Sequence, residues 1–462
     1  MKSFFNTIKQ EFLQNKKAVI TLFLLAFLAR LLMLALIITN DTGKNSVINT
    51  RLDPKGTSGE YIQFAMNLIN YKTASISYDS PPRPNIARTI GYPLFLTPFL
   101  YFHFPYWAIA VFQDLYISIF LIIFYLAGKK IFNPKTILGA TVFFALEPTS
   151  VLLANSVTDT ENLLMPFFIG AFLSFAFFIK NQKPAYLYQG AILLALATLI
   201  RPVPFYFFVF FPFLGLLANI PLKKIIIYSL GATALFFLIL SPWLIRNRII
   251  LKTWQVSSIQ DYNLYMRIAA NFCWWREGIC GEEFVSTYNQ TIKEHDYDFF
   301  YGHNPQKYKA LGLKLIKNYP MEFTSFFISK MPDFFLRNSY ADILEILSKD
   351  RVYARANIKT ATSWLDPVLL FTAFGKLILI FLFILFLSSF FLFFTGYSNK
   401  RLLLLGALLV AYTALVSTPI GFARYRMPIL LPMLIIALET LAFSWNKLKS
   451  RPISEEGADN KR

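Results

Sequence analysis

The sequence predicts an all-α polytopic membrane protein with about ten transmembrane helices, an external first loop and a long external region after helix seven. Three observations carry this expectation. Hydrophobic residues make up 56% of the 462 residues, phenylalanine alone supplies 50 of them, and only 15% are charged, which lies outside the usual composition of soluble domains. Several apolar runs reach the roughly 20 residues needed to cross a hydrocarbon core of ~30 Å. Basic residues punctuate those runs instead of clustering. The net charge of +19 therefore reads as topology signals and contacts with lipid headgroups. No nucleic-acid partner is expected, because no basic helix, zinc pattern or aromatic RNA motif accompanies the charge.

Each element follows in order. Residues 1–17 place Phe5, Ile8 and Phe12 at helical spacing among lysines, open to two readings, an interfacial helix or a frayed tail. Span one, 18–39, is too long for a signal-peptide core and lacks a small-residue cleavage pattern after it. Lys2, Lys9, Lys16 and Lys17 precede it, which places the N-terminus in the cytoplasm and the 40–93 loop outside. Span two, 105–127, ends at Lys129 and Lys130 inside. Span three, 136–153, leads out to Asp159 and Glu161, and span four, 161–179, returns to Lys180 and Lys183. Span five, 185–200, reaches Arg201 outside, and span six returns to Lys223 and Lys224. Span seven, 225–243, exits into a polar region at 244–365. Span eight, 366–395, returns to Lys400 and Arg401, span nine, 402–417, leads out to Arg424, and span ten, 427–444, ends at Lys447, Lys449 and Arg451 inside. The resulting organisation is an N-terminal transmembrane module at 1–243, the external region at 244–365, C-terminal transmembrane helices at 366–446 and a cytoplasmic tail at 447–462. Within the external region, 306–318 put Tyr308, Leu311 and Leu315 on one helical face, suited either to the membrane surface or to a small subdomain packed on itself.

Several chemistries find no residues. No phosphate-binding glycine loop is present. His103, His295 and His303 are not spaced as metal ligands, so neither a metal nor a cofactor is expected. Cys273 and Cys280 bracket Trp274, Trp275 and Arg276 in one polar loop. An oxidising compartment would allow them to bridge, with two unpaired thiols as the alternative. What remains is a set of carboxylates and arginines on the predicted external side: Asp53, Glu60, Arg88, Asp159, Glu161, Arg201, Arg246, Asn247, Arg424 and Arg426. Carboxylates can take a proton from an attacking hydroxyl, and arginines fork onto phosphate oxygens. Together they fit transfer from a phosphate leaving group, plausible on a lipid carrier whose headgroup sits at the same interface.

Five segments in order resemble a known family. SGEYIQFAMNL at 58–68 with RTIGYPLFL at 88–96, TDTENLLMPF at 158–167, LIRP at 199–202, PWLIRN at 242–247 followed by VSSIQDYNLY, and FARYRMPILLP at 422–432 look like the GT-C superfamily of glycosyltransferases, in the branch of protein mannosyltransferases and aminoarabinose transferases. The resemblance implies metal-independent, inverting transfer of a sugar from a polyprenyl-phosphate donor to an acceptor hydroxyl of a lipid, glycan or protein. It also implies a cell membrane, the bacterial cytoplasmic membrane first, with the active site outside. The acid that the family places four residues before the tyrosine matching Tyr61 is Thr57 here. Asp53 and Glu60 flank that gap, and each is open to two readings, catalytic base or solvated charge. Glu161 and Asp159 would orient the acceptor or the base, or serve only the helix N-terminus. Arg88, Arg201, Arg246, Asn247, Arg424, Tyr425 and Arg426 are the expected substrate-binding set, and Arg30 in mid-span is expected to pair with an acid or reach the interface. Competing functions are a transporter or flippase of lipid-linked glycans, a glycan polymerase or ligase, and a non-catalytic scaffold.

Overall fold

The computed structural model describes residues 11–39, 59–157, 159–276, 280–294, 305–348, 367–395 and 397–449. Asp53 and Thr57 lie outside the described residues, as does most of the predicted interfacial helix. Among the described residues the chain is helical and no strand occurs. An apolar helix occupies each of the ten places expected of a span. They are α1 (Lys16–Thr39), then, after α2 (Glu60–Tyr71) and α3 (Gly91–Tyr101), α4 (Tyr106–Gly128), the pair α5 (Pro134–Leu146) and α6 (Pro148–Ala154), α7 (Glu161–Asn181) and α8 (Pro184–Ile200). A 3-10 turn at Phe205–Phe210 running into α9 (Phe211–Leu217) and the long α10 (Leu222–Leu251) complete the first module. Among the described residues, seven helices are individually long and apolar enough to cross a membrane. α5 and α6 add an eighth crossing if taken as one bent span, and α8 and the 205–217 pair are shorter apolar helices.

Two boundaries differ from expectation for local reasons. Span three bends by 59° between α5 and α6, because Pro148 supplies no amide to continue the first helix and the Glu147 carboxylate instead caps Ser150 N at 2.7 Å. α10 does not stop at residue 243 but runs on to Leu251, so Arg246 and Asn247 are helical residues and not part of an exit loop.

After α10 come α11 (Ile259–Tyr262), a π-helical turn at Asn263–Ala269, α12 (Ala270–Trp275), α13 (Glu282–Glu294), α14 (Pro305–Asn318), α15 (Pro320–Leu336) and α16 (Tyr340–Ser348). Tyr265, Phe272, Cys273, Tyr308, Leu315 and Phe326 form a hydrophobic cluster of their own here, with Leu311 packed against it. The apolar face of α14 thus faces protein, in line with a small subdomain packed on itself, and Cys273 and Cys280 are bridged within it. α15 ends inside the main core through Phe334 and Phe335. The bundle closes with α17 (Pro367–Ser388), α18 (Lys400–Ser417) and α19 (Ala423–Lys449).

The two ends of the bundle differ in charge. At one, Lys129 pairs with Glu11, Lys180 Nζ donates to Lys130 O at 2.7 Å, and Glu439 accepts from Asn133 N and from the Tyr397 hydroxyl, both at 2.9 Å. At the other, the N-termini of α7 and α19 meet the C-terminus of α8, which gathers acids and arginines.

Candidate active site

α7 begins at Glu161, with Thr160 as its N-cap and Asp159 just before it, so both acids sit where the helix dipole favours negative charge. α8 ends at Ile200 because Pro202 and Pro204 follow, which leaves Arg201 projecting from the bundle end. α19 starts two residues past Gly421, whose φ of 59° lies where glycine is favoured, and brings in Arg424 and Tyr425. Arg201 Nη1 pairs with Glu161 Oε1, while Arg424 Nη1 donates to Asp159 Oδ1 at 2.5 Å and its Nε lies 3.9 Å from Glu161 Oε1. Both guanidinium groups lie over the Tyr425 ring, at 4.5 Å for Arg201 and 5.3 Å for Arg424. Glu161 is 1% exposed, and among the described residues its Oε2 has no hydrogen-bond partner.

These groups rim an amphipathic pocket. Apolar Leu164, Phe168, Val203 and Pro428 line it together with Glu161, Arg201, Arg424 and Tyr425.

A further ion pair lies near that of Arg201 and Glu161. Glu60 Oε2 accepts from Arg88 Nε at 2.7 Å and from Arg88 Nη2 at 2.6 Å. Burial opposes the charge on Arg88, but Glu60 and the neighbouring Tyr61 outweigh it and hold the guanidinium above its ordinary pKa. Tyr61 joins the two pairs. Burial pushes its hydroxyl up, and Arg88, Arg201, Glu161 and Glu60 all act on it electrostatically. It meets Tyr92 edge-on at 5.4 Å, and the Tyr92 hydroxyl donates to Val157 O at 2.8 Å, fixing the loop ahead of Asp159.

Of the residues expected to bind substrate, Arg88, Arg201, Arg424 and Tyr425 converge with Glu60, Asp159 and Glu161. The other three turn to backbone. Arg246 donates to Asn85 O at 3.0 Å and Ala74 O at 2.8 Å, Asn247 donates to Gln255 O at 2.8 Å, and Arg426, fully buried, donates to Phe335 O at 2.6 Å and Arg337 O at 2.9 Å. Arg246 staples the loop of 72–90 to α10, and Arg426 holds the C-terminus of α15, where carbonyls attract a cation. Other residues that shape the site were not singled out from the sequence: Tyr61, Tyr92, Gly91, Gln113 and Asn162. The signal available for Gln113 and Asn162 was polarity inside apolar helices. Among the described residues, no group of three or more His, Cys, Asp and Glu side chains is placed to hold a metal ion.

Fold and site together define a multi-pass helical membrane protein with an acid–arginine cluster over an amphipathic pocket. Residues 88–245 match the family model described as dolichyl-phosphate-mannose-protein mannosyltransferase, so over this stretch the chain is similar to membrane glycosyltransferases of the GT-C type. The matched stretch contains Arg88, Asp159, Glu161 and Arg201. A comparison with curated proteins found no match.

Proposed function

We propose that the protein transfers a sugar from a polyprenyl-phosphate donor to an acceptor hydroxyl at the external face of the membrane, with inversion and with a carboxylate as general base. The observation that carries this reading is the pocket rimmed by Arg201 and Arg424. Two always-charged forks line one pocket with apolar side chains, which suits the phosphate of a lipid-linked donor. They hold Glu161 and Asp159, and a donor phosphate would compete for the same guanidinium groups.

The base is assigned to Asp53, with Glu60 as the alternative. Glu60, Asp159 and Glu161 are each paired with an arginine. The acids on α7 then act by setting the arginines in place. The test incubates purified protein with a panel of polyprenyl-phosphate sugars and membrane extract and identifies products by mass. Donor consumption is expected, and Asp53→Asn is expected to abolish it while the protein still inserts. Normal transfer by that variant moves the base to Glu60, and failure to consume any donor removes the transferase.

One observation favours a second reading, a carrier of lipid-linked glycans. The bent pair α5–α6 lies beside the buried Arg30 and Asp114, and carriers use broken helices with interior charge. A carrier would move the donor between leaflets without cleaving it, which the same product assay reads directly.

A further inference from the structure

Arg30 on α1 and Asp114 on α4 are both fully buried in helices that pack along each other. The Arg30 Nη1 donates to Ala26 O at 2.9 Å and Ala145 O at 3.1 Å. Among the described residues its Nε and Nη2 have no hydrogen-bond partner, and neither do the two Asp114 carboxylate oxygens or the Asn155 Oδ1. Asp114 is the acid that acts most strongly on Arg30, and Arg30 is the charge that acts on Asp114. Glu147 is also in reach of Arg30, but it already caps Ser150. The orphaned set is complementary, with donors on Arg30 and acceptors on Asp114 and Asn155. Buried groups of this kind are satisfied through ordered water when they do not touch.

The location gives the set a task. Arg30 straddles the bend of span three. Its side chain holds Ala145 O on α5, and its own carbonyl accepts from Asn155 Nδ2 at 3.2 Å just past the end of α6. The end of α6 is held in turn by Asn162, which donates to Leu153 O at 2.8 Å, to Ala154 O at 3.1 Å and to Gln113 Oε1 at 2.7 Å. Asn162 is the neighbour of Glu161, and Gln113 is the neighbour of Asp114. The bend is thus tied to α1 through Arg30 and Asn155, and the end of α6 to the N-terminus of α7 through Asn162.

We propose that Arg30 and Asp114 form a water-bridged ion pair, completed by Asn155, that sets the bend between α5 and α6 and thereby positions Asp159 and Glu161. These are positioning residues, since neither lines the pocket. A single substitution leaves an uncompensated charge in the bundle, and a paired apolar replacement does not.

The test compares Arg30→Met, Asp114→Leu and the double variant as full-length protein in detergent. Thermal unfolding is read first, and this arm does not depend on the transferase reading. Asp114→Leu is expected to lower the melting temperature of the wild-type background and to raise that of Arg30→Met. A decrease of similar size in both backgrounds overturns the pairing. Where a single variant is not recovered folded, recovery of the double variant supports the pair, and its failure overturns it. The second arm rests on the proposed transfer reaction. Asp114→Asn, which keeps the shape, is expected to lower kcat by about 10- to 100-fold, the scale of a small misplacement of reacting groups, with donor KM nearly unchanged. Unchanged kcat overturns the positioning role while leaving both the ion pair and the transferase standing.

Discussion

Arg201 and Arg424 stand side by side, yet they answer differently to removal. Glu161, the partner of Arg201, is 1% exposed at its side chain, so Arg201→Ala strands a buried carboxylate, a loss on the order of 3–5 kcal/mol. Arg424 is 38% exposed and its partner Asp159 12%, so solvent screens that pair and its stability contribution is small. The expected outcome is a sharp fall in thermal stability for Arg201→Ala, and a folded Arg424→Ala protein with weakened donor binding. Unfolding curves and the transfer assay run on both variants separate the two. Arg246 makes a third contrast. Its replacement by alanine frees the carbonyl of Asn85 and leaves that of Ala74 with the Asn85 amide alone, at about 1–3 kcal/mol for a carbonyl left unpaired. Arg246→Ala is therefore expected to unfold at lower temperature, while the protein that remains folded keeps its donor affinity, measured by binding of a polyprenyl phosphate.

At the scale of elements, the contact between α3 and α8 places Arg201. Thr89 donates to Ile200 O at 2.8 Å, and a Cβ added at Gly91 would lie 2.7 Å from Leu199 O and 2.9 Å from Ile200 N. These obstacles are backbone and cannot rotate away. Gly91→Ala is expected to push α3 from the end of α8, costing about 1–3 kcal/mol as overpacking does, and to displace Arg201 enough to reduce transfer. A variant with wild-type stability and rate would mean the two helices part freely. The apolar runs were legible in the sequence because a membrane crossing leaves a local, one-dimensional signal of length and flanking charge. Glu60, Asp159, Glu161 and the arginines were legible as a group, since charges beside spans are few. Their pairing was not, because Glu161 meets Arg201 across 40 positions and Asp159 meets Arg424 across 265, and nothing local encodes such a match. The roles of Arg246 and Arg426 were hidden for the same reason, as an arginine bound to a carbonyl reads no differently from one poised for phosphate. The bend at Pro148 was visible only as a proline within an apolar run.

At the scale of the whole molecule, the asymmetry of charge between the two ends makes orientation the most consequential open property. Lysines gather at the end that holds Lys129 and Lys180, and the positive-inside rule assigns that end to the cytoplasm. The pocket would then open outward, where donor headgroup and acceptor must both arrive. The natural cysteines permit a direct measurement, because Cys273 and Cys280 are bridged to each other and leave no free thiol. Tyr78, 60% exposed, lies in the loop after α2 at the pocket end, and Lys183 is exposed at the opposite end between α7 and α8. In intact cells a membrane-impermeant thiol reagent is expected to label Tyr78→Cys and to reach Lys183→Cys only after permeabilisation. The reverse pattern would turn the pocket toward the cytoplasm. The ion pairs and the apolar cleft would be unchanged, but the acceptor would have to be a cytoplasmic hydroxyl, so this labelling decides the acceptor's compartment independently of any assay of transfer.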